Sequence, residues 1–202
     1  MHYYNADGKE GSMCGNGGRC IAAFASQLGI GGTESVFEGI DGIHHASLLP
    51  GGEVRLGLAD VDGVQILEDG YLLDTGSPHF VKFVEHLDQV VMDVEGKEIR
   101  HQDRFGTGGV NVNFVELGQE GGSLHVRTFE RGVEAETWSC GTGVTAAAIC
   151  AYLHQKSDNN SFRIHTRGGD LQVDFQANAN RCFDEVYLTG PALHVYDGTF
   201  QT

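Results

Sequence analysis

Basic residues are scarce in this chain. Thirteen Lys and Arg stand against 28 Asp and Glu, a formal net charge of −15 over 202 residues. Neutralising phosphates takes clustered Lys and Arg, so this balance argues against a nucleic-acid partner and equally against adhesion to an anionic membrane. A small substrate stays open, because local charge at a site is free to oppose the global charge. Proline is nearly absent, 3 against 30 Gly, which excludes a Pro-rich linker and favours tight turns and close backbone approaches. Long apolar runs are missing too: the most apolar stretch, Ala146 to Leu153, is too short to cross a bilayer. The opening MHYYNADGKE has no basic segment followed by an apolar one, so a soluble, cytoplasmic protein is expected. The five cysteines, at 14, 20, 140, 150 and 182, include no C-x-x-C pair. Reduced thiols are expected, without a disulfide framework or a structural zinc site.

With 40% hydrophobic residues, the chain has material for a core. Alternation of apolar and polar residues predicts strands at Gly52–Leu58, Leu124–Phe129, Asp170–Phe175, Glu185–Leu188 and His194–Tyr196. Two Ala-rich segments predict helices, GNGGRCIAAFASQLGI after Cys14 and GTGVTAAAICAYLHQ after Cys140. Aligning the two cysteines places CGNGGRCIAAFA over CGTGVTAAAICA, with identities at Cys14/Cys140, Gly15/Gly141, Gly17/Gly143, Ala22/Ala148 and Ala25/Ala151. This reads as an internal duplication. The expected fold class is α+β, with two pseudo-symmetric domains, each a strongly bent sheet or barrel around a central Ala-rich helix, the first domain incomplete. The expected boundaries are 1–60, completed by 191–202, and 61–190.

Each motif cysteine stands where a loop enters a helix. Free backbone N–H groups and the helix dipole there favour negative charge, so a lowered thiol pKa is expected. Gly15, Gly17, Gly141 and Gly143 let the backbone approach a bound group, and the helix N–H groups make a carboxylate site. Asn16 and Thr142 occupy matching positions. Two such ends face to face would flank the α-carbon of a small carboxylate. One thiolate removes the α-proton and the other thiol returns a proton to the opposite face, with no cofactor and no metal. Cys20, Cys150 and Cys182 repeat in no motif and read as small buried hydrophobes. His44-His45 lack carboxylates at metal spacing, and GTGGVN at 106–111 lacks the Lys-Ser/Thr ending of a phosphate loop.

NADGKEGSMCGNGGRC, ERGVEAETWSCGTG and TGPALHVYDG together resemble the diaminopimelate epimerase family, over essentially the whole chain. The related proline racemases carry His after the first Cys-Gly, where this chain has Asn16. The resemblance implies cofactor-independent interconversion of LL- and meso-diaminopimelate, in lysine and cell-wall precursor synthesis. Carried over by position, Cys14 and Cys140 are the acid/base residues, and Gly15, Asn16, Gly141 and Thr142 hold the reacting α-carboxylate. Asn5, Asn111 and Arg131 read the distal end, Glu130 accepts from an ammonium, and His79 lies beside the reaction centre. Ser77 stands where the family commonly has Asn before the Pro of the Gly76–His79 segment; Ser is shorter and offers one hydroxyl in place of an amide, so a weaker or water-mediated distal contact is expected. The implied partner is the small substrate, with a homodimer as the one protein association considered.

The family opens with a strand and a Gly-Asn-Asp-Phe-like loop that have no counterpart before Met1. An N-terminally shortened form with poor or absent activity is therefore expected. Two other functions fit the same residues: a racemase of another, proline-like amino acid, and a catalytically dead binding domain of the same fold.

Overall fold

The computed structural model describes residues 1–4, 8, 10–11, 13–156 and 158–199. Its helices are α1 (Gly15–Gln27), α2 (Met92–Arg100) and α3 (Gly141–Gln155). Its strands are β1 (Glu34–Gly39), β2 (Gly42–Leu48), β3 (Glu53–Gly57), β4 (Gln65–Leu67), β5 (Gly70–Asp74), β6 (Pro78–Phe83), β7 (Asn111–Leu117), β8 (Ser123–Glu130), β9 (Ala135–Thr137), β10 (Ser161–Thr166), β11 (Gly169–Ala177) and β12 (Phe183–Pro191). All strands join one sheet in the order β1-β2-β3-β12-β11-β10-β8-β7-β6-β5-β4, with β9 paired to β8. The pairs β6–β7 and β8–β10 are parallel, the others antiparallel. The architecture is α+β, a large bent sheet with three α-helices among the described residues.

Composition explains where the helices sit. In α3 the run Ala146-Ala147-Ala148 keeps the helix thin, and every residue from Gly141 to Ala151 is buried. Strands approach it from several sides: α3 touches β5, β6, β7, β8, β10, β11 and β12. The main core forms around it, with Phe162, Ile164, Val173 and Leu188 closing on Val144 and Ile149. Burying each of these larger side chains contributes about 1.5–3 kcal/mol. A second core lies under α2, where Met92 and Ile99 meet Phe80, Phe114 and Phe129. The third is small, Met13 and Ala22 of the α1 region against Ala46, Val54 and Leu56.

The expected strands at 52–58, 124–129, 170–175 and 185–188 correspond to β3, β8, β11 and part of β12. The strand expected at His194–Tyr196 is absent. Pro191 ends β12, and residues 192–199 carry no helix or strand. Leu193, Val195 and Tyr196 are exposed, so their alternation has no sheet face to bury. Instead, β12 itself reaches the N-terminal strands, with Pro191 opposite Glu53 and Tyr187 opposite Gly57.

Candidate active site

The two Cys-Gly motifs place the starts of α1 and α3 against each other. Cys14 and Cys140 are the N-cap residues, both extended, at φ −109° and −116°. The first helical residue of each is glycine, and those glycines meet. A Cβ at Gly141 would stand 3.0 Å from the Gly15 Cα, and one at Gly15 would stand 3.2 Å from the Gly141 Cα. Glycine is needed here for close approach, since any side chain would part the two helix ends. Both cysteines open onto one cleft of about 900 Å³, also lined by Asn16, Ser77, Asn111, Glu130, Arg131 and Thr142.

The two sulfurs have different neighbours. Cys14 Sγ accepts from the Gly17 amide at 3.4 Å. Cys140 Sγ lies 3.5 Å from Thr142 Oγ1. Desolvation and the nearby negative charge of Glu130 push the Cys140 thiol up to about 12, against the opposing pull of the Thr142 hydroxyl and the Gly143 amide. The helix start alone suggests a lowered value for this cysteine. Burial and a facing carboxylate reverse that expectation, because both penalise a second negative charge. Glu130 is itself raised by burial.

Behind Thr142 sits His79, with no exposed surface. Its Nε2 is 3.0 Å from Thr142 Oγ1 and its Nδ1 is 3.0 Å from Asn113 Nδ2. Burial, then the positive charge of Arg131, lowers its pKa to about 3, so the ring is neutral. Asn111 has both amide ends engaged within the chain: Oδ1 accepts from the Arg131 amide at 2.8 Å, and Nδ2 donates to Ser77 Oγ at 2.9 Å. The Arg131 guanidinium reaches the same Ser77 hydroxyl at 3.4 Å. Ion pairs brace the turn after Glu130 and the β9 strand that follows it. Arg127 forks onto Glu136 at 2.7 and 2.9 Å, and Arg100 holds Glu134 at 2.8 Å. Asn5 lies outside the described residues.

A family model described as diaminopimelate epimerase matches residues 71–195. The chain is 42% identical over 199 residues to a protein named diaminopimelate epimerase from Flavobacterium psychrophilum, covering 98% of this chain and 77% of that one. It is 42% identical to another so named from Chlorobaculum tepidum, covering 98% of this chain and 79% of the relative. The chain belongs to the diaminopimelate epimerase family. It spans about three quarters of the length of these relatives. Among solved structures, it resembles a phenazine biosynthesis protein of the PhzF family from Bacillus anthracis. That match has a TM-score of 0.74 at 12% identity and covers 94% of this chain and 76% of the other. A methylitaconate-delta-isomerase matches with a TM-score of 0.53 at 13% identity, over 88% and 69% of the two chains. At these identities the likeness concerns the fold.

In this diaminopimelate epimerase family chain, several groups beside the cleft carry no signal in the sequence pattern. Arg19 is buried, donates to Gly15 O at 3.2 Å and to Asn16 Oδ1 at 3.0 Å, while Asn16 Nδ2 donates to Ser139 O at 3.2 Å. A guanidinium only donates and a carbonyl only accepts, so the Asn16 amide has one orientation. Its N–H side faces the second motif. Tyr3 lines the cleft, its phenol raised by burial and by Cys14. Asn113 and Thr128 stand behind His79. None of these belongs to a repeated motif, although Arg19 falls inside the first. Of the other thiols, Cys150 is buried as expected, but Cys20 is exposed and Cys182 half-buried. Cys20 also lines the cleft.

Proposed function

We propose that this chain interconverts LL- and meso-diaminopimelate through a two-base mechanism in which Cys14 and Cys140 act from opposite faces of the α-carbon. The observation that carries this is the meeting of two helix starts at Gly15 and Gly141, with a cysteine cap on each and one cleft between them. An α-carboxylate seated on the N–H groups of both helix starts brings its α-carbon between the sulfurs. A thiolate takes the α-proton, electron density moves into the carboxylate held by those N–H groups, and the opposing S–H gives its proton to the other face. The released thiolate and the new thiol then stand exchanged.

Cys140 is the resting thiol on this reading, because desolvation and Glu130 hold its proton on. A substrate ammonium beside Glu130 neutralises that carboxylate and removes the repulsion, which lowers the Cys140 pKa once substrate is bound. Arg131 takes the distal carboxylate through its two-pronged guanidinium, while Asn111 and Ser77 fix that end of the cleft. Asn5 completes the distal contacts in the proposal. The proposal also divides the chain into pseudo-symmetric units at 1–60 and 61–190, and includes a cytoplasmic, homodimeric, cofactor-independent enzyme. No helix among the described residues is long and apolar enough to cross a membrane.

The test is α-proton exchange of diaminopimelate in D₂O. Cys14→Ala and Cys140→Ala should each lower exchange with inversion by on the order of 10³-fold, while Cys182→Ala should leave it unchanged. Full inversion by either cysteine variant refutes the two-base assignment. Turnover of proline without diaminopimelate would move the substrate assignment to the racemases.

A further inference from the structure

We propose that Thr128, Asn113 and His79 form a hydrogen-bond relay of fixed direction that aims the Thr142 hydroxyl proton at Cys140 Sγ, which makes Asn113 and Thr128 positioning residues. The inference rests on the reading of Cys140 as an acid/base group and adds what holds it ready.

The direction follows from one carbonyl. Asn113 Nδ2 lies 3.2 Å from Phe80 O, which only accepts, so that end of the amide is the donor. The Oδ1 end then accepts from the Thr128 hydroxyl at 2.9 Å. The second hydrogen on Nδ2 goes to His79 Nδ1 at 3.0 Å, which must be the unprotonated ring nitrogen. A neutral imidazole therefore carries its hydrogen on Nε2, which donates to Thr142 Oγ1 at 3.0 Å. The Asn111 amide nitrogen is also 3.5 Å from Nε2, but its hydrogens have nearer acceptors in Ser77 Oγ at 2.9 Å and Pro78 O at 3.3 Å. With its oxygen accepting from His79, the Thr142 hydroxyl has one remaining side-chain partner among the described residues, Cys140 Sγ. A hydroxyl aimed at sulfur stabilises the thiolate, which the surroundings otherwise disfavour.

Packing supports the relay. His79 and Asn113 have no exposed surface, and Thr128 and Thr142 are buried. Gly143 in the first turn of α3 lies directly on the relay: a Cβ there would overlap Asn113 Oδ1 and stand 3.3 Å from Thr128 Oγ1. The charged and titratable groups facing the relay are few. Burial, then the charge of Arg131, keeps the His79 ring neutral, so no positive charge is stored there. Glu130 and Cys14 act on Cys140, and Tyr3 shares that surface. The hydroxyl is thus a neutral donor that, with the Gly143 amide, is set against two acidic neighbours.

The direct measurement is ¹⁵N NMR of His79 in the free protein. The expected result is the neutral Nε2–H tautomer; an Nδ1–H tautomer overturns the relay. Asn113→Asp puts an acceptor beside Nδ1, so at alkaline pH the ring should switch to Nδ1–H and draw the Thr142 hydroxyl proton to Nε2. Alkylation of Cys140 by iodoacetamide should then slow about tenfold at fixed alkaline pH, with Cys14 labelling in the same sample unchanged. Thr142→Val and Thr142→Ser guard against a misfolded Asn113 variant. The serine should label Cys140 near the wild-type rate, the valine about tenfold more slowly. Equal Cys140 labelling of these two chains sinks the relay. None of these readouts needs substrate. Failure of every chain to exchange the α-proton would instead sink the epimerase reading and leave the relay to be decided by tautomer and labelling.

Discussion

The helices α1 and α3 begin alike and end in different surroundings. Both start Cys-Gly, both accept a side-chain hydrogen bond at the first helical carbonyl from the residue four positions on, Arg19 to Gly15 O and Thr145 to Gly141 O. Past that first turn they diverge. The α3 segment is enclosed on all sides through Ala151, whereas α1 buries only Gly15, Gly18, Arg19 and Ala22. Ile21, Phe24, Leu28 and Ile30 face outward from the α1 region, exposed by 38 to 65%. The likeness is confined to what meets the cleft, and the difference lies in what holds each helix. A shared motif therefore reports shared geometry at a helix start, and says nothing about how firmly that start is anchored.

The largest way to sharpen this contrast is to truncate one isoleucine in each helix. Ile149→Ala leaves a cavity in a site with no solvent exposure and should cost about 2–5 kcal/mol. Ile21→Ala removes a partly exposed side chain and should stay within about 0.5 kcal/mol. Urea denaturation of both variants checks this, and comparable losses would mean that α1 is as well packed as α3.

Acid should act on the α3 side of the cleft first. The neutral His79 is held to about 3, whereas in the unfolded chain it titrates at its ordinary value of 6.5. Between those values the unfolded state binds the extra proton, so stability rises with pH. The contribution is complete above 6.5 and is lost progressively as pH falls towards 3, reaching on the order of a few kcal/mol. Comparing unfolding free energies at pH 7, 6, 5 and 4 should give a slope approaching one proton. His79→Asn should flatten it; an unchanged slope would place the buried titration elsewhere.

The smallest effect separates the paired glycines. Gly143→Ala overlaps Asn113 and should cost about 1–3 kcal/mol, because the neighbour is enclosed. At Gly17 the nearest atoms to the new Cβ belong to Cys14 and Met1, at 3.5 Å or more. There Gly17→Ala should be neutral or stabilising by up to about 1 kcal/mol through helix propensity. Thermal melts of the two single variants decide whether the two motifs are interchangeable at this position.

Much of the fold was readable in the residues. Alternation found β3, β8 and β11, and the Ala-rich run with its Cys-Gly start marked α3 from Gly141 to Gln155. Local pattern failed where burial, not periodicity, decides. Nothing in Met92–Arg100 stood out against its charges, although Met92, Gly96, Ile99 and Arg100 pack against the sheet as α2. The alternation at His194–Tyr196 was real but has no partner strand among the described residues. At the site, duplication identified the two cysteines and their glycines. Asn113 and Thr128 gave no signal, because an Asn and a Thr on adjacent strands become a relay only when β7 and β8 pair them across one rung.

The amino-acid sequence by itself determined the two helix starts, the thiols capping them and the glycines that let them close, since these follow from local spacing and from side-chain size. Only the tertiary structure decided that Gly15 and Gly141 touch, that burial and then the charge of Glu130 raise the Cys140 thiol, and that His79 is sealed and neutral. The physical reason is that contact distance and dielectric surroundings depend on residues far apart in the chain, and neither quantity exists until the sheet has closed around α3.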